Sequence, residues 1–315
     1  MSWHVQQMGE GPVALLLHGT GASSHSWAGL APLLAEAFRV VAIDLPGHGY
    51  TELAGGDGMS LPGMAGGIAG LLENLGVEPD LCIGHSAGAA VLARMCLDET
   101  VRPAALVSIN GALLPLPGLQ GKVFPGAAKV LASLPRLPGL VSRHGAQRVL
   151  IDQLVRQTGS TLDGVALEHY RTLVGSPGHI NGALQMMAHW HLESLERELK
   201  SLTVPLYLFA CRNDRAVAYT EATRIKVQLP DAHLRVVPGL GHLGHEENPS
   251  LFADMIVSVA AELALGDGAG RPRARRARTG KSGSGATRSG ATRSGATRSS
   301  ATRSGLTGKR KPRSG

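Results

Sequence analysis

Aromatic side chains are scarce in this sequence. Phe, Trp and Tyr supply only 3% of its 315 residues, within a hydrophobic fraction of 43%. A core must therefore be assembled mainly from Ala, Val and Leu. Cysteine is scarcer still: Cys82, Cys96 and Cys211 are an odd number with no C-x-x-C pair. That excludes a disulfide framework and points to a reduced, cytoplasmic protein. No run of about 18 apolar residues occurs, so no membrane span is expected. The start, Met-Ser-Trp-His-Val-Gln-Gln, has no basic segment ahead of an apolar one, so no signal peptide is expected. There is no H-E-x-x-H and no G-x-x-x-x-G-K-[ST] phosphate loop, and neither a metal nor a cofactor is expected.

Positive charge is present but confined. The chain carries a formal +7. Eleven Arg and three Lys against Asp267 give residues 266–315 a net +13, which leaves −6 for residues 1–265. The basicity therefore says nothing about nucleic-acid binding by the globular part, and no specific nucleic-acid partner is expected. Ser-Gly-Ala-Thr-Arg recurs from Ser284, Ser289 and Ser294, and Ser-Ser-Ala-Thr-Arg follows from Ser299. A period of five matches neither a helical nor a strand face, and this composition cannot build a core. Residues 266–315 are expected to be a disordered, solvated tail. Its Arg residues also suit anionic lipid or RNA.

What precedes the tail alternates. Strands are expected at 3–8, 13–17, 39–43, 81–83, 104–109, 205–210 and 234–237, with 13–17 and 39–43 apolar runs of buried-strand length. Helical spacing appears at 26–37, 61–75, 87–97, 219–228 and 249–265, with Gly76 ending the second of these. The rhythm predicts an α/β fold with a mostly parallel, doubly wound sheet. It breaks after Asn110 and resumes near 200. Residues 1–111 and 200–265 are thus expected to form the core. Residues 112–199 would be an inserted helical lid, above the carboxyl ends of the strands where such folds bind ligands.

Gly84-His85-Ser86-Ala87-Gly88 follows a predicted strand and opens a predicted helix. A serine there sits on a strained turn with its hydroxyl projecting from the top of the sheet. The Ala87 amide, at the helix N-terminus, can donate to a developing oxyanion. A second donor, the Thr20 amide, is expected from His18-Gly19-Thr20-Gly21 after the 13–17 strand. Serine needs a base, and the chain order for this arrangement is serine, acid, histidine. His242, after the last strand, is the base by position. Asp214, after the strand ending near Ala210, is the acid that orients it. His245 is read as structural, Asp44 as a loop organiser, and His189, Trp190 and His191 as lid or pocket lining.

Several segments resemble the α/β-hydrolase superfamily. They are His18-Gly19, Asp44-Leu45-Pro46-Gly47-His48-Gly49, the Ser86 segment, and Gly241-His242 with Glu246-Glu247-Asn248-Pro249. Within it the chain more closely resembles the BchO family, magnesium-chelatase accessory proteins of bacteriochlorophyll biosynthesis. That likeness runs over about residues 3–260. It includes His25-Ser26-Trp27, Ser60-Leu61-Pro62-Gly63-Met64, Asn110-Gly111-Ala112-Leu113, Gly159-Ser160-Thr161 and Ser176-Pro177-Gly178-His179. The strands start at Trp3, without the first edge strand usual in relatives.

The resemblance implies a serine hydrolase of ester or related acyl bonds that assists magnesium insertion. An apolar substrate, such as a tetrapyrrole, and magnesium-chelatase subunits would be its partners. The implied location is the cytoplasm or the periphery of the photosynthetic membrane. Two other readings stay open at the level of sequence. One is a non-catalytic accessory protein that binds a tetrapyrrole or the chelatase. The other is a general carboxylesterase outside that pathway.

Overall fold

A computed structural model describes residues 1–115 and 146–265, with the backbone alone for residues 146–150. The expected tail, 266–315, and the Pro- and Gly-rich start of the expected lid, 116–145, lie outside the described residues.

Seven strands form one sheet in the order β1-β3-β2-β4-β5-β6-β7. They are β1 (Val5–Met8), β2 (Val13–Leu17), β3 (Arg39–Ile43), β4 (Leu81–His85), β5 (Ala105–Ile109), β6 (Leu206–Cys211) and β7 (His233–Val237). Only β1 runs antiparallel to its neighbour, β3; the other pairs are parallel. Among the described residues β1 is the terminal strand at its edge.

The five inner strands, β2 to β6, read as largely apolar runs because both faces of the sheet are covered there. One face presents Leu15, Leu17, Val41, Cys82 and Leu106 to helices α2 (Leu61–Leu75) and α3 (Ala87–Leu97). The other presents Leu16, Val40, Ile83 and Val107 to Trp27, Leu34, Phe252 and Ile256. The first layer is built largely from Ala, Val, Leu and Met, as the shortage of aromatics requires.

Helix α2 keeps its expected bounds because both ends are signalled locally. Ser60 caps its start by accepting from the Gly63 amide, Pro62 lies in the first turn, and Gly76 closes it at φ +62°. The expected helix at 26–37 is different. It splits into a 3₁₀ turn, Ser24–Trp27, and a short helix α1, Ala31–Leu34. Pro32 has no N–H to continue the ladder. Gly29 faces Pro249 so closely that a Cβ on it would lie 2.7 Å from the proline ring.

Between β5 and β6 the described residues hold α4 (Ala146–Gln157), α5 (Gly164–Val174), α6 (Pro177–Ala188) and α7 (Glu193–Glu198). A small apolar cluster joins Ile151, Val155, Leu162 and Tyr170 to Ala22 and Leu243, which belong to loops at the carboxyl ends of β2 and β7. After β6 come α8 (Tyr219–Gln228), β7, α9 (Gly244–Glu247) and α10 (Pro249–Glu262).

Candidate active site

Ser86 joins β4 to α3 at φ +50°, ψ −119°. A non-glycine residue in that conformation is strained, and the surroundings must impose it. They do so through the backbone. The Ser86 N–H donates to the Ile109 carbonyl at 3.1 Å, and the Ser86 carbonyl accepts from Ala89 at 3.2 Å and Ala112 at 3.0 Å. The flanking glycines are sterically required. A Cβ on Gly84 would lie 2.4 Å from the Ala89 backbone, and one on Gly88 would lie 2.1 Å from the Leu17 carbonyl oxygen.

Asp214 and His242 come together at the carboxyl end of the sheet. Asp214 Oδ1 accepts from the Ala216 and Val217 amides, both at 2.8 Å, which fixes the carboxylate plane. Its Oδ2 accepts from His242 Nδ1 at 2.7 Å. A carboxylate can only accept, so the proton of this hydrogen bond belongs to Nδ1.

The His242 backbone is held beside the nucleophile turn. Its carbonyl accepts from His85 Nε2 at 2.9 Å and from Asn110 Nδ2 at 2.8 Å. The His85 and His242 ring centroids are 4.7 Å apart. Ser86 Oγ itself makes no hydrogen bond among the described residues, a common condition in unliganded sites of this kind.

Two backbone donors have no hydrogen-bond partner among the described residues: the Thr20 and Ala87 amides. Ala87 is the first residue of α3, so its N–H has no helical acceptor. Thr20 is oriented through its neighbours. His18 Nε2 accepts from the Leu45 amide at 2.9 Å, so its Nδ1–H donates to the Gly19 carbonyl at 2.8 Å. Because the peptide is planar and trans, fixing that carbonyl turns the Thr20 N–H the opposite way. Gly19 must be glycine here: a Cβ would lie 2.9 Å from Ser86 Cβ.

The surrounding histidines are neutral. Burial drives His18 down to about 3, His245 to about 3 and His25 to about 4, and also lowers His48, His85 and His179. His245 packs as expected of a structural residue, with Nε2 2.8 Å from Ser26 Oγ and the Trp27 ring 4.7 Å away. Asp44 orders its loop, accepting from Ser24 at 2.6 Å and Tyr50 at 3.0 Å. His189 and Trp190 are half-buried and His191 is exposed. Among the described residues there is no group of three or more metal-ligating side chains and no helix long and apolar enough to cross a membrane. All three cysteines are buried and free.

Three further residues emerge only in three dimensions. Asn110, at φ +47°, donates to the Gly241 and His242 carbonyls and accepts from the Cys211 amide at 2.7 Å. It thereby ties β5, β6 and the His242 loop together. His179 of α6 accepts from the Gly49 amide at 3.1 Å and donates to the Gly21 carbonyl at 3.2 Å. Glu246 Oε1 accepts from Ser26 Oγ and Tyr170 OH, both at 2.6 Å. Burial pushes its carboxyl up to about 7. The only signal for Asn110 and His179 in the sequence was their place in segments shared with a family.

The alpha/beta hydrolase family model matches residues 14–255. The magnesium-chelatase 30 kDa subunit of Rhodobacter capsulatus is 41% identical over 260 residues, 82% of this chain and 90% of that one. The chain belongs to the alpha/beta hydrolase family, in the branch of that subunit. Esterase relatives are matched at lower identity. A pimeloyl-[acyl-carrier protein] methyl ester esterase of Aeromonas hydrophila is 28% identical, over 81% of this chain and 98% of the relative. Among solved structures, a thermophilic esterase from Thermogutta terrifontis aligns with TM-score 0.67 at 21% identity, covering 83% of this chain and 93% of that one. That likeness bears on the fold alone.

Proposed function

We propose that the protein is a serine hydrolase of ester or related acyl bonds that serves magnesium chelatase in bacteriochlorophyll biosynthesis. The observation that carries the chemistry is the buried Asp214–His242 hydrogen bond behind a serine held at positive φ. Ser86 Oγ attacks the acyl carbon and gives its proton to His242 Nε2. Asp214 holds the imidazole in the required tautomer and offsets the charge of the imidazolium. The Thr20 and Ala87 amides receive the oxyanion. His242 returns the proton to the departing alcohol, and water then releases the acyl group by the same steps. Residues 112–199 act as the lid over this site. The buried, unpaired cysteines suit a reducing cytoplasm.

The pathway assignment rests on the 41% identity to a protein named as a chelatase subunit. That name also favours a second reading, in which the fold binds a tetrapyrrole or chelatase subunits without turnover. One pair of experiments separates them. Purified protein should label with a fluorophosphonate and cleave a short p-nitrophenyl ester, and Ser86→Ala should do neither. Failure of the wild type in both assays overturns the hydrolase reading. In a strain lacking the gene, wild type should restore pigment and Ser86→Ala should not. Equal rescue by both would establish the non-catalytic reading.

A further inference from the structure

We infer that residues 158–161, in the segment between α4 and α5, are a positioning brace for His242, with Ser160 its central contact. The inference rests on the reading of His242 as the general base.

The three successive amides around the base are all accounted for by this turn and one partner. The Gly241 N–H donates to Glu247 Oε1 at 2.8 Å. The His242 N–H donates to the Thr158 carbonyl at 3.3 Å. The Leu243 N–H donates to Ser160 Oγ at 2.8 Å. Glu247 closes the arrangement, because its Oε2 accepts from the Thr161 amide at 3.1 Å. The Thr158 carbonyl accepts a second amide, that of Arg215, at 3.0 Å, directly after Asp214. One short turn therefore touches the backbone on the acid side and on the base side.

Its fit is close enough to exclude side chains. Gly159 lies at φ +84°, and a Cβ there would sit 2.0 Å from the Asn213 carbonyl oxygen. A Cβ on Gly241 would sit 2.3 Å from the Gly159 carbonyl carbon. Ser160 is only 2% exposed, so its hydroxyl cannot be replaced by solvent without rearrangement. The sheet side of the loop is held separately, through the Gly241 and His242 carbonyls on Asn110 and His85. The imidazole is thus fixed from both sides of its peptide, and the N–H side belongs to the insertion. Removing one such contact lets the base drift, and small displacements of a reacting group are costly in rate.

The test compares Ser160→Ala, Ser160→Thr and Asp163→Ala. Asp163 caps α5 by accepting from the Ala166 amide at 2.8 Å, and among the described residues its side chain makes no hydrogen bond to the turn or the His242 loop, so it controls for general loosening of the insertion. Ser160→Ala should lower kcat for a p-nitrophenyl ester about tenfold to a hundredfold with KM little changed. It should also shift or broaden the downfield proton resonance of His242 Nδ1–H. Ser160→Thr, which keeps the hydroxyl, should recover both. Asp163→Ala should lower the melting temperature and leave both as in wild type. If Ser160→Ala does not fold, Glu247→Gln is read by the same two measurements.

Wild-type kcat and an unchanged resonance in Ser160→Ala, or in Glu247→Gln where that variant stands in, would overturn the brace. So would equal losses in Asp163→Ala. If the wild type turns over no ester, the hydrolase reading fails by itself. The resonance then decides the brace: moved by Ser160→Ala and not by Asp163→Ala if it is real, unmoved if it is not.

Discussion

Asp214 and His242 meet where the Asp214 side chain is wholly buried and the His242 side chain is 10% exposed, with Oδ2 and Nδ1 2.7 Å apart. A carboxylate in that position can only accept, so it selects one imidazole tautomer. Asp214→Asn can donate instead, and would turn the Nδ1 lone pair toward itself. Turnover of a p-nitrophenyl ester should fall roughly 10³- to 10⁴-fold, read as kcat at neutral pH.

Acid should unfold the protein early. His18 and His245 are held at about 3 and His25 at about 4 by burial, against 6.5 when unfolded. Each is neutral in the fold and takes up a proton on unfolding. Their contribution is complete above pH 6.5 and is lost as pH falls toward 4 and then 3. By pH 5 each should have cost roughly 2 kcal/mol. Urea unfolding at pH 7.5 and pH 5 measures this as a lower midpoint at the acidic value.

Glu246 works in the opposite sense. Its carboxyl is raised from 4.5 to about 7, because burial outweighs the help of Ser26 and Tyr170, and Glu247 adds repulsion. The fold favours the protonated form. Stability from this group is present below pH 4.5 and is lost as pH rises to 7, by at most about 3 kcal/mol. Glu246→Gln keeps an acceptor for Ser26 and Tyr170 and cannot ionise. It should be more stable than wild type at pH 8 and close to it at pH 5, as measured by denaturant midpoints.

Two glycine substitutions should separate strain from collision. Gly21 lies at φ +76° with nothing within 4 Å of a Cβ. Gly21→Ala should cost about 1–2 kcal/mol through the backbone alone. In Gly88→Ala the new Cβ would meet the Leu17 carbonyl oxygen of an adjacent strand, which cannot move without disturbing the sheet. The loss should be about 3 kcal/mol or more. Thermal melts of the two variants give the comparison.

The residues legible in the sequence are those whose geometry is local. Ser86 could be placed because its strained turn needs small neighbours at fixed offsets and a strand and helix on either side. Helix α2 could be bounded because Ser60, Pro62 and Gly76 act within a few residues. Asp214 and His242 could be proposed from chain order, but not their 2.7 Å approach. Residues 26–37 do not form the single helix their apolar spacing predicts, because that spacing says nothing of Gly29 meeting Pro249, far along the chain. Asn110 and Ser160 stand in segments shared with a family, and nothing in their own chemistry marks them. Each is an ordinary polar residue whose importance lies in amides and carbonyls more than 80 positions away.

The closeness of Gly159 to Gly241 also bears on how this protein can be recombined. Transplanting another insertion between β5 and β6 would look, from sheet topology, like exchanging a self-contained module. The contact between those two glycine backbones means that the junction is keyed. A chimera that carries in a bulkier residue at either position should jam the seam. One that keeps residues 158–161 with their native partner Glu247, and changes only the helices beyond, should preserve it.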